Sequence, residues 1–281
     1  MIDISKLENV APEYNLRDLL AAGCHFGHEA SKWHPNMADW IYSKQDGIHI
    51  FDLEKTAAQL TIAYNYFYYL GKEGKSVIFV GTKRQAREIV KEKTQESGVH
   101  WIVSRWLGGL LTNWQQVSKS LRKMIEIEEG LKGDKYKMYT KFEQNQLEKE
   151  AGRYARFFDG LRELKELPSA LFVIDPKKEQ IAMTEAEMVG VDVVALVDTN
   201  TNPKSVDLII PANDDGRGSI EFIVDQLIQA YANGRAAKTS GKKTVEVKKI
   251  KVKVEVKKIK VKTKEKKKTE LKKKKTETKG L

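Results

Sequence analysis

Six short apolar runs recur along the chain, and each ends at a turn or polar residue. They are GIHIFDL (47–53), SVIFVG (76–81), VHWIVS (99–104), ALFVID (170–175), VVALVD (193–198) and DLIIPA (207–212). All are rich in Val, Ile or Leu and alternate poorly with polar residues, the pattern of strands covered on both faces. Between them lie helical periodicities over 54–74, 82–98, 178–190 and 218–234, each stopping at a glycine. Thr82 stands where an N-cap would open the second of these. Strand–helix alternation of this kind predicts an α/β domain with a doubly wound, mainly parallel sheet.

Residues 106–166 interrupt the alternation. Leu110, Trp114, Val117, Leu121, Met124 and Leu131 follow heptad-like spacings, as do Leu147, Tyr154, Phe157, Leu161 and Leu164. The stretch GLKGDK (130–135) between them reads as a turn. Two such helices joined by a turn predict an inserted antiparallel coiled-coil hairpin. Its charged midsection suits an arm projecting from the sheet. The expected organisation is a sheet domain built from 1–105 and 167–235, an arm over 106–166 and a tail over 236–281.

The tail changes the meaning of the net charge. Residues 236–281 hold 20 Lys and 5 Glu, so of the chain's +11 they carry +15, and residues 1–235 carry −4. VEVKKIKVK occurs at 245–253 and again at 254–262. Charge repulsion and the lack of a buryable face predict a disordered basic C-terminal tail, a polycation able to condense onto phosphates. Any basic surface on the body must come from local clustering. Lysine outnumbers arginine 40 to 10, an unusual ratio for phosphate recognition, where arginine forks are favoured.

Hydrophobic residues make up 41% of the chain, yet no run approaches the roughly 20 apolar residues of a membrane span. No membrane partner is expected. The first residues lack the regions of a signal peptide. A single cysteine fits a reducing compartment and excludes an internal disulfide framework.

Several segments invite an enzymatic reading. FVGTKRQ (79–85) joins a strand to a helix, but it is neither GxGxxG nor the Walker pattern. Asp175, Asp192, Asp198, Asp207, Asp214 and Asp215 gather late in the sheet, where turns and caps use Asp as readily as a Mg²⁺ site does. No nucleophile motif appears. GCHFGHEASKWHP (23–35) crowds Cys24, His25, His28 and His34 together, but without the paired ligand spacing of structural zinc. No cofactor and no metal is expected, and a tight loop is the preferred reading. A stand-alone α/β metal- or phosphate-binding enzyme remains the alternative.

The basic and aromatic residues point elsewhere. Lys83, Arg87 and Lys91 are spaced to share one helix face, with Arg84 beside its first turn. SRWLGGLLTNWQQ (104–116) adds Arg105, Trp106 and Asn113, and the arm continues with Lys119, Arg122 and Lys123. Arginine and aromatic residues beside glycines suit phosphates and bases. Together with Lys32, Trp33 and His34 these are the candidate RNA contacts.

The sequence resembles the bacterial form of the second protein of the small ribosomal subunit. The blocks that carry it include LLAAGCHFGH (19–28), KWHPNM (32–37), IHIFDLEKT (48–56), FVGTKRQA (79–86), RWLGGLLTN (105–113), PSALFVIDPKKEQIAMTEA (168–186), VALVDTNTNP (194–203) and IPANDD (210–215). The resemblance implies a flavodoxin-like sheet carrying a coiled-coil hairpin and no catalytic activity. It also implies binding to small-subunit ribosomal RNA and to neighbouring ribosomal proteins, including the large mRNA-binding one. The place implied is a cytoplasmic ribosome, with an organellar ribosome as the alternative. His25 and His28 match the family pattern, whereas His34 stands where Asn is usual.

Overall fold

The structure is a computed structural model that describes residue 2 and residues 4–239. The lysine-rich repeat and its expected disorder lie outside the described residues. In chain order the elements are α1 (Leu16–Ala21), β1 (Phe26–Glu29), β2 (Ile41–Gln45), β3 (Ile48–Phe51), α2 (Leu53–Glu73), β4 (Val77–Val80), α3 (Arg84–Ser97) and β5 (His100–Ile102). There follow α4 (Trp114–Lys132), α5 (Lys141–Phe158), β6 (Ala170–Ile174), α6 (Gln180–Val189), β7 (Asp192–Val197) and β8 (Leu208–Pro211). A last helix, α7, covers 217–239.

Five strands form one parallel sheet in the order β5-β4-β6-β7-β8. Counted from β4, that is the flavodoxin order 2-1-3-4-5, with the winding direction reversing between β4 and β6. Successive side chains go to opposite faces, and the sequence fills both. Val77, Phe79, Phe172, Ile174, Val194 and Leu196 enter a core with α2, α3 and α7. Ile78, Val80, Leu171, Val173, Ala195 and Val197 enter a second core with α4, α6 and the loop before α4. Continuous apolar strands are the consequence of that double coverage. Phe67, Phe79 and Phe172 pack tightly in the first core, with Phe79 and Phe172 centroids 5.1 Å apart.

Four expectations need correction. The run 47–53 is not part of the parallel sheet. Its β3 is the centre of a small antiparallel sheet, order β1-β3-β2. Asp46 and Gly47, both at positive φ, form the tight turn between β2 and β3. Thr82 does not cap α3; Lys83 is the N-cap residue, without a capping side chain, and the Thr82 hydroxyl donates to Glu179. The last helix does not stop at Gly234 but continues to 239. Gly234 is required by proximity instead: a Cβ there would lie 2.1 Å from the Tyr68 carbonyl oxygen of α2. Finally, Leu110 belongs to no helix. It is buried in the loop before α4, and the connection between α4 and α5 falls at 133–140 rather than 130–135.

Helices α4 and α5 pack on each other. The capping box Thr140–Glu143 starts α5. Lys123 pairs with Glu150 across the two helices. Arg162, just past α5, returns a bidentate contact to Glu128. Leu121 and Met124 of α4 and Phe158 of α5 join the second core, so the base of this pair is anchored on the sheet.

Candidate functional site

The C-terminal ends of the parallel strands bring the separated sequence blocks to one edge. Lys83 follows β4, Asp175 follows β6, Asp198 follows β7, and Asp214 and Asp215 follow β8. The Lys83 ammonium lies 2.6 Å from Asp214, 2.7 Å from Asp215 and 3.5 Å from Asp175. Burial opposes its charge, but these carboxylates outweigh burial and hold its pKa above the ordinary value. Lys83 therefore leaves the basic face expected of it, because its charge is used inside the protein. Arg84 and Arg87 stay exposed. Arg87 Nε donates to the Thr82 carbonyl at 2.8 Å, and the Lys91 ammonium lies over the Trp101 ring.

His28 completes the acidic cluster. Its Nδ1 is 3.0 Å from Asp198 and its Nε2 3.3 Å from Asp215. The hydrogen bond to Asp198 raises its pKa against the effect of burial, and the remaining attraction of Asp198, Asp214 and Asp215 adds to the rise. Asp214 is fully buried. Burial first, then repulsion from Asp198 and Asp175, pushes its carboxyl up to about 7 in spite of Lys83. Asp214 Oδ2 has no hydrogen-bond partner among the described residues. His28, Asp198 and Asp214 each offer one donor atom within 4.8 Å of the others, a nitrogen-and-carboxylate set of the kind that holds divalent cations.

The rest of the histidine-rich segment divides between buried and exposed positions. Cys24 is fully buried in the first core. Gly27 is needed for close approach rather than for a turn, since a Cβ would meet the Thr199 methyl at 2.7 Å. Beside it, His28 N–H donates to the Thr199 hydroxyl at 2.9 Å. His34 caps the 3-10 turn Pro35–Trp40, its Nδ1 accepting from the Asn36 amide at 3.2 Å. Trp33 stays 38% exposed, with its ring 5.2 Å from that of His49. Lys32 is exposed and paired with Glu29.

At the root of the arm the sequence expectation divides. Trp106 is 3% exposed, and its indole N–H donates to Glu185, so it is not open to a base. Arg105 and Asn113, at either end of the loop 106–112, are exposed. The Asn113 side chain makes no capping bond to α4. Arg122 and Lys119 on α4 are exposed as well, whereas Lys123 spends its charge on Glu150. Glu185 went unsuspected. It accepts from the amides of Gly109, Leu111 and Thr112, from the Thr112 hydroxyl and from Trp106. Burial works against its charge, yet these donors hold its pKa below the ordinary carboxylate value. A Glu in helical phase with the apolar Ala182 and Ala186 of α6 was the one signal available.

Residues 19–234 match the family described as ribosomal protein S2. The small ribosomal subunit protein uS2 of Dehalococcoides mccartyi strain 195 is 42% identical over 226 residues, which span 80% of this chain and 92% of that protein. The proteins of the same name from strains BAV1 and CBDB1 are 41% identical over the same lengths. With the flavodoxin-ordered sheet, the closed acidic corner and a match running through both, the chain belongs to the ribosomal protein S2 family.

Proposed function

We infer that the chain is a structural component of the small ribosomal subunit that binds ribosomal RNA and neighbouring ribosomal proteins in translation. The family is one of structural proteins, not enzymes. The observation that carries the RNA reading is the state of the arginines. Arg84, Arg105 and Arg122 are exposed and have no side-chain partner among the described residues, on a body whose net charge is −4. Unpaired guanidiniums on an acidic body suit the phosphate contacts that fix a protein's position on a nucleic acid.

On this reading the sheet domain (1–105 and 167–235) seats the protein, and α4 and α5, paired as a coiled-coil arm within 106–166, reach along the RNA. Arg84, Arg87, Arg105, Asn113 and Arg122 supply contacts, with Lys32, Trp33 and Lys123 at the margins. The tail adds charge without specificity. The large mRNA-binding protein is a partner on the same reading. The working place is a cytoplasmic ribosome, and no described helix is long and apolar enough to cross a membrane.

Co-sedimentation with small subunits tests the proposal. The full chain should remain bound at moderate salt. Replacing Arg84, Arg105 and Arg122 together by Ala should lower occupancy, and should reduce the salt slope of RNA binding by about one unit per lost phosphate contact. Unchanged occupancy and slope would reject these arginines as contacts.

A further inference from the structure

We propose that Glu185 is a positioning residue that fixes the root of the arm and so presents Arg105 and Asn113 to RNA; the proposal rests on the RNA-binding reading above. The loop between β5 and α4 has little regular backbone pairing of its own. Its buried and half-buried amides must find acceptors or incur a desolvation cost. Glu185 supplies them from α6, across the second core. Its Oε1 takes the Gly109 amide at 2.7 Å and the Trp106 indole at 3.3 Å. Its Oε2 takes the Leu111 amide at 2.9 Å and the Thr112 amide at 3.3 Å, with the Thr112 hydroxyl at 3.4 Å. Glu185 is itself buried, 6% exposed.

Five donors on two oxygens demand a carboxylate. An ionised Glu offers about four lone-pair sites and no hydrogen. Gln would offer one oxygen and turn an NH₂ group toward donors. Charge, not size, is what the loop requires. The latched stretch ends at Thr112, and α4 begins at Trp114, so the carboxylate sets where the helix starts. Leu110 and Leu111 are buried beside it in the second core and hold the loop down without orienting it. Arg105 immediately precedes Trp106, and Asn113 immediately follows Thr112. The two exposed candidates thus bracket the latch.

The test uses the full chain and transcribed small-subunit ribosomal RNA. Glu185→Gln should bind about three- to tenfold more weakly, on the scale of one or two lost hydrogen bonds. The Trp106 indole N–H resonance should shift, and the amides of Gly109, Leu111 and Thr112 should exchange faster. Arg105→Ala should weaken binding to a similar degree. The double variant should be no weaker than the weaker single, because one change acts through the other. Simple loss of stability would instead give additive effects, and full additivity overturns the proposal. Parental binding by Glu185→Gln beside weakened Arg105→Ala also overturns it and leaves the RNA reading standing. Parental binding by Arg105→Ala overturns the arm-root reading itself and the proposal with it. Trp106→Phe deletes one donor and keeps a ring in place. It should give a smaller loss with the same non-additivity, and additivity there refutes the proposal even if Glu185→Gln is too unstable to assay.

Discussion

Lys83 and Arg105 both follow the C-terminal end of a strand in the parallel sheet, on neighbouring strands β4 and β5, yet they do opposite work. Lys83 lies at the reversal of the winding between β4 and β6, where the loops after β6 and β8 converge on it. Three carboxylates surround its ammonium, and its side chain is 13% exposed. Arg105 follows the edge strand β5, where no acidic loop arrives, and its guanidinium faces outward. The cation at the switch point is paired within the fold, while the cation at the edge stays exposed. The crevice that an α/β enzyme keeps open for a ligand here holds the protein's own lysine.

The largest expected effect sharpens that contrast. Lys83→Ala leaves Asp214 buried without its partner and should cost about 3–5 kcal/mol of stability, read from denaturant unfolding. Asp214→Asn in the same background should recover part of the loss. Arg105→Ala should stay within about 0.5 kcal/mol of the parent, as for surface changes generally. Equal losses from the two would break the comparison.

The acidic corner should also respond to pH, measured with chelator present. Asp214 titrates near 7 in the folded state against about 3.9 when unfolded. Between those values the folded protein holds a proton that the unfolded chain has released, so this contribution to stability falls as pH rises. His28 has a raised pKa, so its contribution is complete below about 6.5 and is lost as pH climbs through the folded value. Both act in one direction. The melting temperature should drop between pH 6 and 8, and His28→Asn should flatten the drop. A profile of the same slope in that variant would remove His28 from the account.

The sequence made the parallel strands legible because the sheet is covered on both faces, which leaves β4, β6, β7 and β8 almost wholly buried and the edge strand β5 partly so. The antiparallel sheet was hidden for the converse reason. It is half exposed, and its central strand IHIF looks like its parallel neighbours. Asp46–Gly47 between Ile41–Gln45 and Ile48–Phe51 was the readable hairpin signal. Heptad spacing found α4 and α5 but ran back into Leu110, because a loop residue buried in the core satisfies the same pattern. Among the candidate contacts, sequence gave residue type and left exposure open. Lys83 and Trp106 had suitable chemistry and turned inward, drawn by Asp214 and Glu185, which lie 131 and 79 positions away along the chain. Pairing over such distances leaves no mark in local spacing.

The smallest expected effect concerns His34, which the sequence offered both as a departure from the family's Asn and as an RNA contact. In the structure its Nδ1 does what an Asn side-chain oxygen does at an N-cap, accepting the amide of the residue two positions on. Its own N–H donates to the Thr199 carbonyl at 2.7 Å, a backbone bond that any residue but Pro preserves. His34→Asn therefore keeps both interactions and should leave stability unchanged to within about 0.5 kcal/mol, while His34→Ala should lose about 0.5–2 kcal/mol with the cap. Subunit occupancy separates the cap from the contact. If His34 acts only through the turn, His34→Asn assembles like the parent. If its ring stacks on a base, His34→Asn loses occupancy at full stability, and the loop between β1 and β2 joins the contacts proposed for Arg105.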